Sequence, residues 1–546
     1  MTVCTPHLVA KFPPGAEADG QFCCVRRYVD QKYKLEKDQI VEIRIEDMLD
    51  DGRAFGRSEG LAVFVSGGAK LPSGEKAASI VPGDTVKVCI KKAKKSSAEA
   101  EAMEIVKASP DRIASECPYF GKCGGCTLRE LSYEAQKGLK TEQVRSKLNR
   151  LGGLEDPKVN DIIGAESLEY YRNKAVFAVG PHGEVGFKKG KSNYVIDIED
   201  CLLQTDAAMV CADALRHFLK ETGCKCISQL TVRTAFGTGE VMAVLESDKK
   251  DIPQIDMLCE LFDDAVYSLS ADEEGDPTTS DTRFSLESVA LIHKGKCHII
   301  AGKPTITEKV TRQDGKELNY EISPQSFYQV NPEQMLKLYD KAMEYAALTR
   351  KETLLDLYCG VGTIGIWMAD KAEKVIGIES VKPAVIDANR NSVINNIIST
   401  RYICGKAEEE LPGMMGLAKL WKWNEVNERV ERKPEITIDH ADVAVLDPPR
   451  AGCEEALLEA VVKAAPDRIV YVSCDPGTLA RDIKYLTANG YEFIEVTPLD
   501  QFPMTSHCET VCLLSNRKPD DTIKVSVNMD DYYQIRDAEE AEKNPS

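Results

Sequence analysis

The sequence predicts a multidomain protein in which a small N-terminal β-barrel and a central α+β domain precede a C-terminal Rossmann-like α/β domain. At 546 residues the chain exceeds what one hydrophobic core normally organises. Short strands separated by glycine turns fill its first part, and strands alternating with helices fill its last part. We expect an N-terminal extension over 1–34, the barrel over 35–110, the central domain over 111–322, the α/β domain over 323–515 and an acidic tail over 516–546.

The composition is that of a globular cytoplasmic protein. No apolar stretch is long enough to span a bilayer, and residues 1–15 do not form a secretory signal. The 19 cysteines are odd in number and many lie in apolar runs, which indicates a reducing compartment. We expect a monomer without membrane contact.

The net charge of −19 disfavours nucleic acid as a partner, but a local basic face would suffice for binding. Two groups of lysines could form such a face, although the simpler interpretation is that they are solvated surface residues. One group is Lys87, Lys91, Lys92, Lys94 and Lys95, and the other is Lys188, Lys189 and Lys191.

The barrel is predicted from short β-rich runs between glycines. Ile40–Ile45, Leu61–Val65, Val86–Ile90 and Ala102–Val106 have strand character. Such strands suit a small closed barrel of the oligonucleotide-binding type, although periodicity does not distinguish it from other small β domains.

The central domain begins with a cysteine cluster and a helix. Cys117, Cys123 and Cys126 are closely spaced, and Cys201 is the candidate fourth ligand. Glycines between the second and third cysteines free backbone N–H groups for bonds to sulfide, so the spacing fits an iron–sulfur cluster or a zinc ion equally well. Cys224-x-Cys226 is interpreted as structural.

A helix is predicted over Leu131–Leu151 from apolar residues at helical spacing, namely Ala135, Leu139, Val144 and Leu148. Further on, the acidic stretch Glu246–Glu287 is predicted to hold a surface loop.

The α/β domain is predicted from buried strands that alternate with helices. The strands are Thr353–Tyr358, Lys374–Glu379, Val443–Asp447 and Arg468–Ser473. Met414–His440 interrupts the alternation and is read as an insertion.

A glycine loop between the first strand and the next helix predicts a nucleotide-type cofactor site. Gly360 and Gly362 belong to a Gly-x-Gly-x-x-Gly pattern, and Glu379 ends the next strand, where it can accept hydrogen bonds from a ribose. The loop alone fits a nicotinamide dinucleotide and S-adenosylmethionine equally well.

Two further strand ends carry reactive groups. Asp447 opens Asp-Pro-Pro-Arg, and Cys474 lies in Ser-Cys-Asp-Pro; Glu509 follows in His-Cys-Glu. A cysteine at a strand end is more often buried filler, but its place beside a cofactor pocket favours a nucleophile. One thiol, one base and one methyl donor are the groups needed to methylate C5 of uracil: the thiolate adds to C6, C5 takes the methyl group, and the base removes the C5 proton.

Together these motifs resemble the RNA uracil-C5 methyltransferases of ribosomal and transfer RNA, over about residues 35–515. The resemblance implies a barrel of the TRAM type that binds RNA, with S-adenosylmethionine as methyl donor. It also implies a [4Fe–4S] cluster on Cys117, Cys123, Cys126 and Cys201. It assigns cofactor contacts to Gln329, Tyr358, Glu379 and Asp447, the nucleophile to Cys474 and the base to Glu509. It further implies that the helix around Tyr133–Leu148 packs with the catalytic domain, so that the central domain is discontinuous. Asp475 replaces the family's usual asparagine, and the insertion and the acidic loop near Asp272 depart from its pattern.

The cysteine cluster and the barrel favour ribosomal RNA as the substrate by analogy, with transfer RNA as the alternative. A non-catalytic RNA-binding protein would not require Cys474 and Glu509. A nicotinamide-dependent iron–sulfur oxidoreductase would leave Asp-Pro-Pro-Arg and Ser-Cys-Asp-Pro without a purpose.

Overall fold

The computed structural model describes residues 35–49, 51–190, 192–270, 284–423 and 429–517. The predicted N-terminal extension, the acidic loop near Asp272 and nearly all of the acidic tail lie outside these residues. The chain divides into two compact units, one of residues 1–49 and 53–110 and the other of residues 50–52 and 111–546. No helix within the described residues combines the length and apolar character needed to cross a bilayer.

The first unit is a closed barrel with the strand order β1-β2-β3-β5-β4. Its strands are β1 (Ile40–Met48), β2 (Ala54–Ser58), β3 (Leu61–Ser66), β4 (Thr85–Ala93) and β5 (Ser97–Lys107). Neighbouring strands are antiparallel except β3 and β5, which pair in parallel. Alternate residues point inward, so Val86, Val88 and Ile90 of β4 are fully buried while the lysines between and after them face outward.

Three lysines on or directly after β4 form ion pairs with glutamates of the next strand. Lys87 pairs with Glu104 at 3.2 Å, Lys91 with Glu101 at 3.2 Å and Lys94 with Glu99 at 3.9 Å, all of these glutamates being on β5. This part of the first lysine group is therefore neutralised by carboxylates of the same barrel.

The second unit contains the remaining elements. In chain order they are α1 (Tyr133–Arg150), β6 (Lys174–Val179), β7 (Val185–Lys188), β8 (Val195–Asp197), α2 (Asp206–Thr222), β9 (Ile227–Thr234), β10 (Glu240–Ser247), α3 (Ile255–Ser268), β11 (Ser285–His293), β12 (Lys296–Gly302), β13 (Ile306–Thr311), β14 (Glu317–Ile322), α4 (Pro332–Ala346), β15 (Thr353–Leu357), α5 (Thr363–Met368), β16 (Lys374–Glu379), α6 (Lys382–Ile394), β17 (Thr400–Cys404), α7 (Ala407–Met414), β18 (Leu420–Trp423), β19 (Arg429–Arg432), β20 (Val443–Leu446), α8 (Glu455–Ala464), β21 (Arg468–Ser473), α9 (Pro476–Ala488), β22 (Tyr491–Leu499) and β23 (Glu509–Asn516).

The central part is a sheet in the order β12-β11-β10-β9-β6-β7-β8. One of its faces packs with α2 and α3 around Phe177, Phe218 and Phe262. The stretch Glu246–Glu287, which was predicted to hold a surface loop, is not irregular throughout, because α3 occupies Ile255–Ser268 and buries Leu258, Phe262 and Val266 at helical spacing.

The C-terminal part is a sheet in the order β17-β16-β15-β20-β21-β23-β22. Its strands run parallel from β17 to β21, and β23 is antiparallel to both β21 and β22. The chain leaves β15 toward β16 on one side and returns through β20 on the other, so the strand order reverses beside β15. Ligands of open α/β sheets bind outside the carboxyl ends of strands at such a point. The insertion contains the hairpin of β18 and β19.

Helix α1 buries the second half of its predicted apolar series, but polar side chains replace apolar ones on the first half of its buried face. Ser132 caps it, its Oγ accepting a bond from Ala135 N at 3.4 Å. Ala135 and Leu139 are only partly buried, whereas the buried face is Gln136, Lys140, Gln143, Val144 and Leu148. Its apolar end packs in one cluster with residues of α9, and its polar end contacts the loop between β22 and β23.

Candidate active site

Cys474 and Glu509 come together because two antiparallel strands end side by side. Ser473, the last residue of β21, pairs with Thr510 of β23, and Thr510 Oγ1 donates a hydrogen bond to Ser473 O at 2.9 Å. Cys474 and Glu509 are the next residues beyond this pair. The structure therefore places the predicted nucleophile and the predicted base at the same edge of the sheet.

The turn after Cys474 is held by Asp475. This residue caps α9, since its Oδ1 accepts bonds from Gly477 N at 2.7 Å and from Thr478 N at 3.4 Å. Asparagine is an equally good N-cap. The departure of Asp475 from the family's asparagine thus preserves the local backbone that presents Cys474.

Burial and like charges raise the pKa values of the acids at this edge. Burial and the neighbouring Glu509 raise the pKa of Cys474 to about 11, whereas the Arg450 guanidinium lowers it. Burial and then Asp447 raise the pKa of Glu509 well above its usual range, again opposed by Arg450. Burial and Asp356 raise the pKa of Asp447 to about 7. Arg450 is therefore the charge that favours the ionised forms of both the thiol and the base.

A small cavity of about 50 Å³ opens beside Cys474. Gln143 and Lys147 of α1 line it together with Arg450 and the segment Ser506–Cys508. Arg450 Nη2 lies 3.4 Å from His507 Nε2. Helix α1 therefore contributes to the wall of this cavity, although none of its residues belongs to a reactive motif.

The glycine loop and Glu379 meet as predicted from their spacing. Gly360 N donates to Glu379 Oε2 at 3.1 Å, and Val381 N donates to Glu379 Oε1 at 2.7 Å. Gly362 has φ +79°, and a Cβ there would lie 2.7 Å from Tyr402 Cζ, so glycine is required. Tyr358 adopts φ +65° directly after β15 and turns the chain into this loop.

Gln329 lies on the segment between β14 and α4. It is 6% exposed, its backbone oxygen accepts a bond from Asn173 Nδ2 at 2.9 Å, and its Oε1 accepts a bond from Gln501 Nε2 at 3.4 Å. It is thus tied to the start of strand β6 on one side and to the segment before Glu509 on the other. Phe327, two residues earlier, is 61% exposed.

The four predicted cysteine ligands line one cavity of about 310 Å³. Burial raises the pKa of Cys123, Cys126 and Cys201, the last to about 11, and the neighbouring cysteine sulfurs raise each pKa further. Gly125 N donates to Cys123 Sγ at 3.4 Å. Across the residues that the structure describes, however, no three His, Cys, Asp or Glu side chains are arranged to hold a metal ion.

Two arginines face the same cavity with unused hydrogen-bonding capacity. Among the described residues, the buried atoms Arg129 Nε, Arg129 Nη2 and Arg172 Nε have no hydrogen-bond partner. Arg450 and His507 also line this cavity, so it adjoins the small cavity beside Cys474. The other cysteine pair, Cys224 and Cys226, has its sulfurs 3.3 Å apart and lies elsewhere, at the end of α2.

Comparisons with known proteins agree with this architecture. A family model described as tRNA (Uracil-5-)-methyltransferase matches residues 246–517, and a TRAM domain model matches residues 34–103. An uncharacterized RNA methyltransferase of Caldanaerobacter subterraneus subsp. tengcongensis is 37% identical over 88% of this chain and 99% of its own length. A second one, from Halalkalibacterium halodurans, is 33% identical over 89% of this chain and 98% of its own length.

A solved structure shares the fold over most of the chain. The tRNA (uracil-54, C5)-methyltransferase of Pyrococcus abyssi, in complex with S-adenosyl-L-homocysteine, aligns with a TM-score of 0.60 and 25% identity. The alignment covers 87% of this chain and all of that one. The chain therefore belongs to the family of RNA (uracil-5-)-methyltransferases that carry a TRAM domain, enzymes that use S-adenosylmethionine as the methyl donor.

Proposed function

We propose that this protein methylates C5 of a uridine in ribosomal RNA, with Cys474 as nucleophile and Glu509 as base. The observation that carries the proposal is the meeting of these two side chains, beside Asp447 and Arg450, at the edge where β21 ends and β23 begins. Each of the two groups has a different part in the reaction, so both must reach the same pyrimidine ring.

The reaction has three steps. The Cys474 thiolate bonds to C6, and the electrons of the C5–C6 double bond move into an enolate whose C5 is nucleophilic. S-adenosylmethionine supplies the methyl group to C5 and leaves as S-adenosylhomocysteine. The Glu509 carboxylate then removes the C5 proton, the double bond re-forms, and Cys474 departs from C6 as a thiolate.

Both Cys474 and Glu509 must lose their protons before they can act as nucleophile and base. In the protein alone, burial raises the pKa of both Cys474 and Glu509, so each group loses its proton less readily than it would in water. Arg450 opposes this effect at both groups. A positively charged sulfonium in the adjoining pocket would act in the same direction as Arg450 and so couple thiolate formation to the presence of the methyl donor.

The cofactor contacts are proposed for the residues around the reversal of strand order beside β15. Glu379 would accept hydrogen bonds from ribose hydroxyls, and the loop through Gly360 and Gly362 would approach the nucleoside closely because it lacks side chains there. Tyr358, Gln329 and Asp447 complete the proposed set.

RNA binding by the barrel is supported by an aromatic pair on β2 and β3. The rings of Phe55 and Phe64 lie 5.7 Å apart, with the Arg57 guanidinium 5.4 Å from the first ring and Arg53 5.5 Å from the second. Both rings are partly exposed. Aromatic rings flanked by arginine are a common surface for stacking unpaired bases, and this strand pair is the binding face of oligonucleotide-binding barrels.

The cysteine cavity is proposed to hold a [4Fe–4S] cluster. Four cysteines around one cavity would give each iron of such a cluster one thiolate sulfur. A cluster with four thiolates is anionic, and the unpartnered nitrogens of Arg129 and Arg172 would face that charge. Anaerobically purified protein should contain about four irons per chain; stoichiometric zinc without iron would overturn the assignment.

The catalytic roles are tested by trapping with RNA that contains 5-fluorouridine, whose C5 fluorine blocks the last step. Wild-type protein should form a covalent adduct, and Cys474→Ala should form none while still binding S-adenosylhomocysteine. Cys259→Ala, which changes a partly exposed cysteine of α3, is the matched control and should behave as wild type. Glu509→Gln should accumulate an adduct even with ordinary uridine. Methylation by Cys474→Ala would refute the nucleophile, and absence of the uridine adduct would refute the base.

Transfer RNA is the second candidate substrate, because the solved Pyrococcus abyssi enzyme, which aligns over its whole length, acts on it. Mapping 5-methyluridine in ribosomal and transfer RNA from cells with and without this protein decides between them. Loss of the nucleoside from ribosomal RNA alone is the expected result, and loss from transfer RNA alone would reassign the substrate.

A further inference from the structure

The loop between β22 and β23 determines where Glu509 stands. Residues 500–508 connect the two strands, carry His507 and lead directly into Glu509. Backbone groups in such a loop have no strand neighbours and need other partners when they are buried. The central residue, Met504, is 8% exposed and has φ +67°.

The first partner is the cysteine segment, Thr127–Leu131, which directly follows the cysteine cluster. Thr127 N and Leu128 N both donate to Met504 O at 3.0 Å, and Ser506 N donates to Thr127 Oγ1 at 2.9 Å. Thr127 is the residue directly after Cys126. The cysteine segment is therefore bonded to the loop on both sides of Thr505.

The second partner is the polar end of α1. Gln136 is fully buried; its Oε1 accepts a bond from Met504 N at 3.1 Å, and its Nε2 donates to Leu131 O at 2.8 Å and Leu128 O at 3.2 Å. One side chain thus joins the loop to the cysteine segment. One turn later, Lys140 Nζ donates to Phe502 O at 3.1 Å and forms an ion pair with Asp500.

We propose that Thr127 and Gln136 are positioning residues that hold Glu509 for removal of the C5 proton. The cysteine segment thereby affects the step in which Cys474 leaves C6 of the RNA base. This inference rests on the proposed function. Bond formation at C6 and methyl transfer need Cys474 and the methyl donor, whereas only the last step needs Glu509. Loosening the loop should therefore slow release of the RNA more than addition to it.

The test separates these steps with Thr127→Val and Gln136→Leu, which remove the hydrogen bonds at similar side-chain size. Thr141→Val is the control, because the Thr141 hydroxyl bonds to Lys137 O within α1. The rate of adduct formation with 5-fluorouridine RNA should be unchanged in both variants. Decay of the adduct on uridine RNA should slow by about 10- to 100-fold, the effect of a misplaced catalytic group. Hydrogen exchange in residues 500–509 should rise in both variants but not in the control.

Equal slowing of addition and release would show a general loss of structure and overturn the proposal, as would release at the wild-type rate in Thr127→Val. If Gln136→Leu does not fold, Thr127→Val, which loses a single hydrogen bond, decides the matter. Failure of the wild-type protein to form any adduct would instead refute the proposed function.

Discussion

The Cys474 thiol is expected to react slowly at neutral pH, because burial and Glu509 raise its pKa to about 11. At pH 7.5 such a thiol is ionised in roughly 3 molecules of 10,000, against roughly 1 in 10 for an ordinary cysteine of pKa near 8.5. The more basic thiolate is about tenfold more nucleophilic, which recovers part of the loss. Alkylation of Cys474 should therefore be about 30-fold slower than that of an exposed cysteine at pH 7.5.

Alkylation by iodoacetamide, followed by mass spectrometry of the Cys474 peptide, measures this directly. The rate should rise about tenfold per pH unit from roughly pH 6.5 to 9.5 without levelling. Arg450→Gln should slow it, since the guanidinium lowers the pKa. S-adenosylmethionine should accelerate the reaction about tenfold relative to S-adenosylhomocysteine, which has the same shape without the positive charge. A rate that levels below about pH 8.5 in the free protein, or equal rates with the two ligands, would refute the electrostatic reasoning.

Three other changes have defined outcomes. Gly362→Ala should lower the free energy of unfolding by at least about 1–2 kcal/mol because of the positive φ, and by more because the new Cβ would clash with Tyr402. Calorimetry should show a lower melting temperature and weaker binding of S-adenosylhomocysteine. An unchanged melting temperature and affinity would contradict the assignment of this loop to the cofactor site. Lys140→Met should lower the free energy of unfolding measured in urea by about 3–5 kcal/mol, since it removes the ion-pair partner of the fully buried Asp500. Adding Asp500→Asn should restore part of the lost stability; no recovery would show that the ion pair is not the cause. We expect Phe327, an exposed ring two residues before the proposed cofactor contact Gln329, to contact the RNA. Phe327→Ala should therefore raise the KM for RNA, and it should leave the melting temperature unchanged because the ring is mostly exposed; an unchanged KM would exclude this contact.

The edge of the α/β sheet was predictable because chemistry and secondary structure coincide there. Asp447 and Cys474 directly follow runs of buried β-forming residues, and parallel strands bring their carboxyl ends to one edge. Glu509 was harder to place, since it begins a strand rather than ending one. It reaches the same edge because β23 runs antiparallel to β21, and a direction of pairing leaves no local signal in the sequence.

Other features depend on contacts between distant segments. Gln136 and Lys140 are buried because they satisfy the backbone of a loop that lies far away along the chain, so the apolar pattern of α1 indicated Val144 and Leu148 but not these two residues. Strand β2 was missed because Gly56 interrupts it; a Cβ there would lie 2.4 Å from Arg44 O. Helix α3 was missed although Leu258 and Phe262 have helical spacing, because the acidic residues around them favoured a surface loop.

The ion pairs with β5 limit what three lysines of the barrel can contribute to RNA binding. Glutamates already serve as counterions for Lys87, Lys91 and Lys94, so these lysines would neutralise few RNA phosphates and release few of the cations condensed on the RNA. Replacing them should consequently change the salt dependence of RNA binding little. Stacking of bases on Phe55 and Phe64 would favour unpaired regions, because the bases of a double-stranded region are not available for insertion.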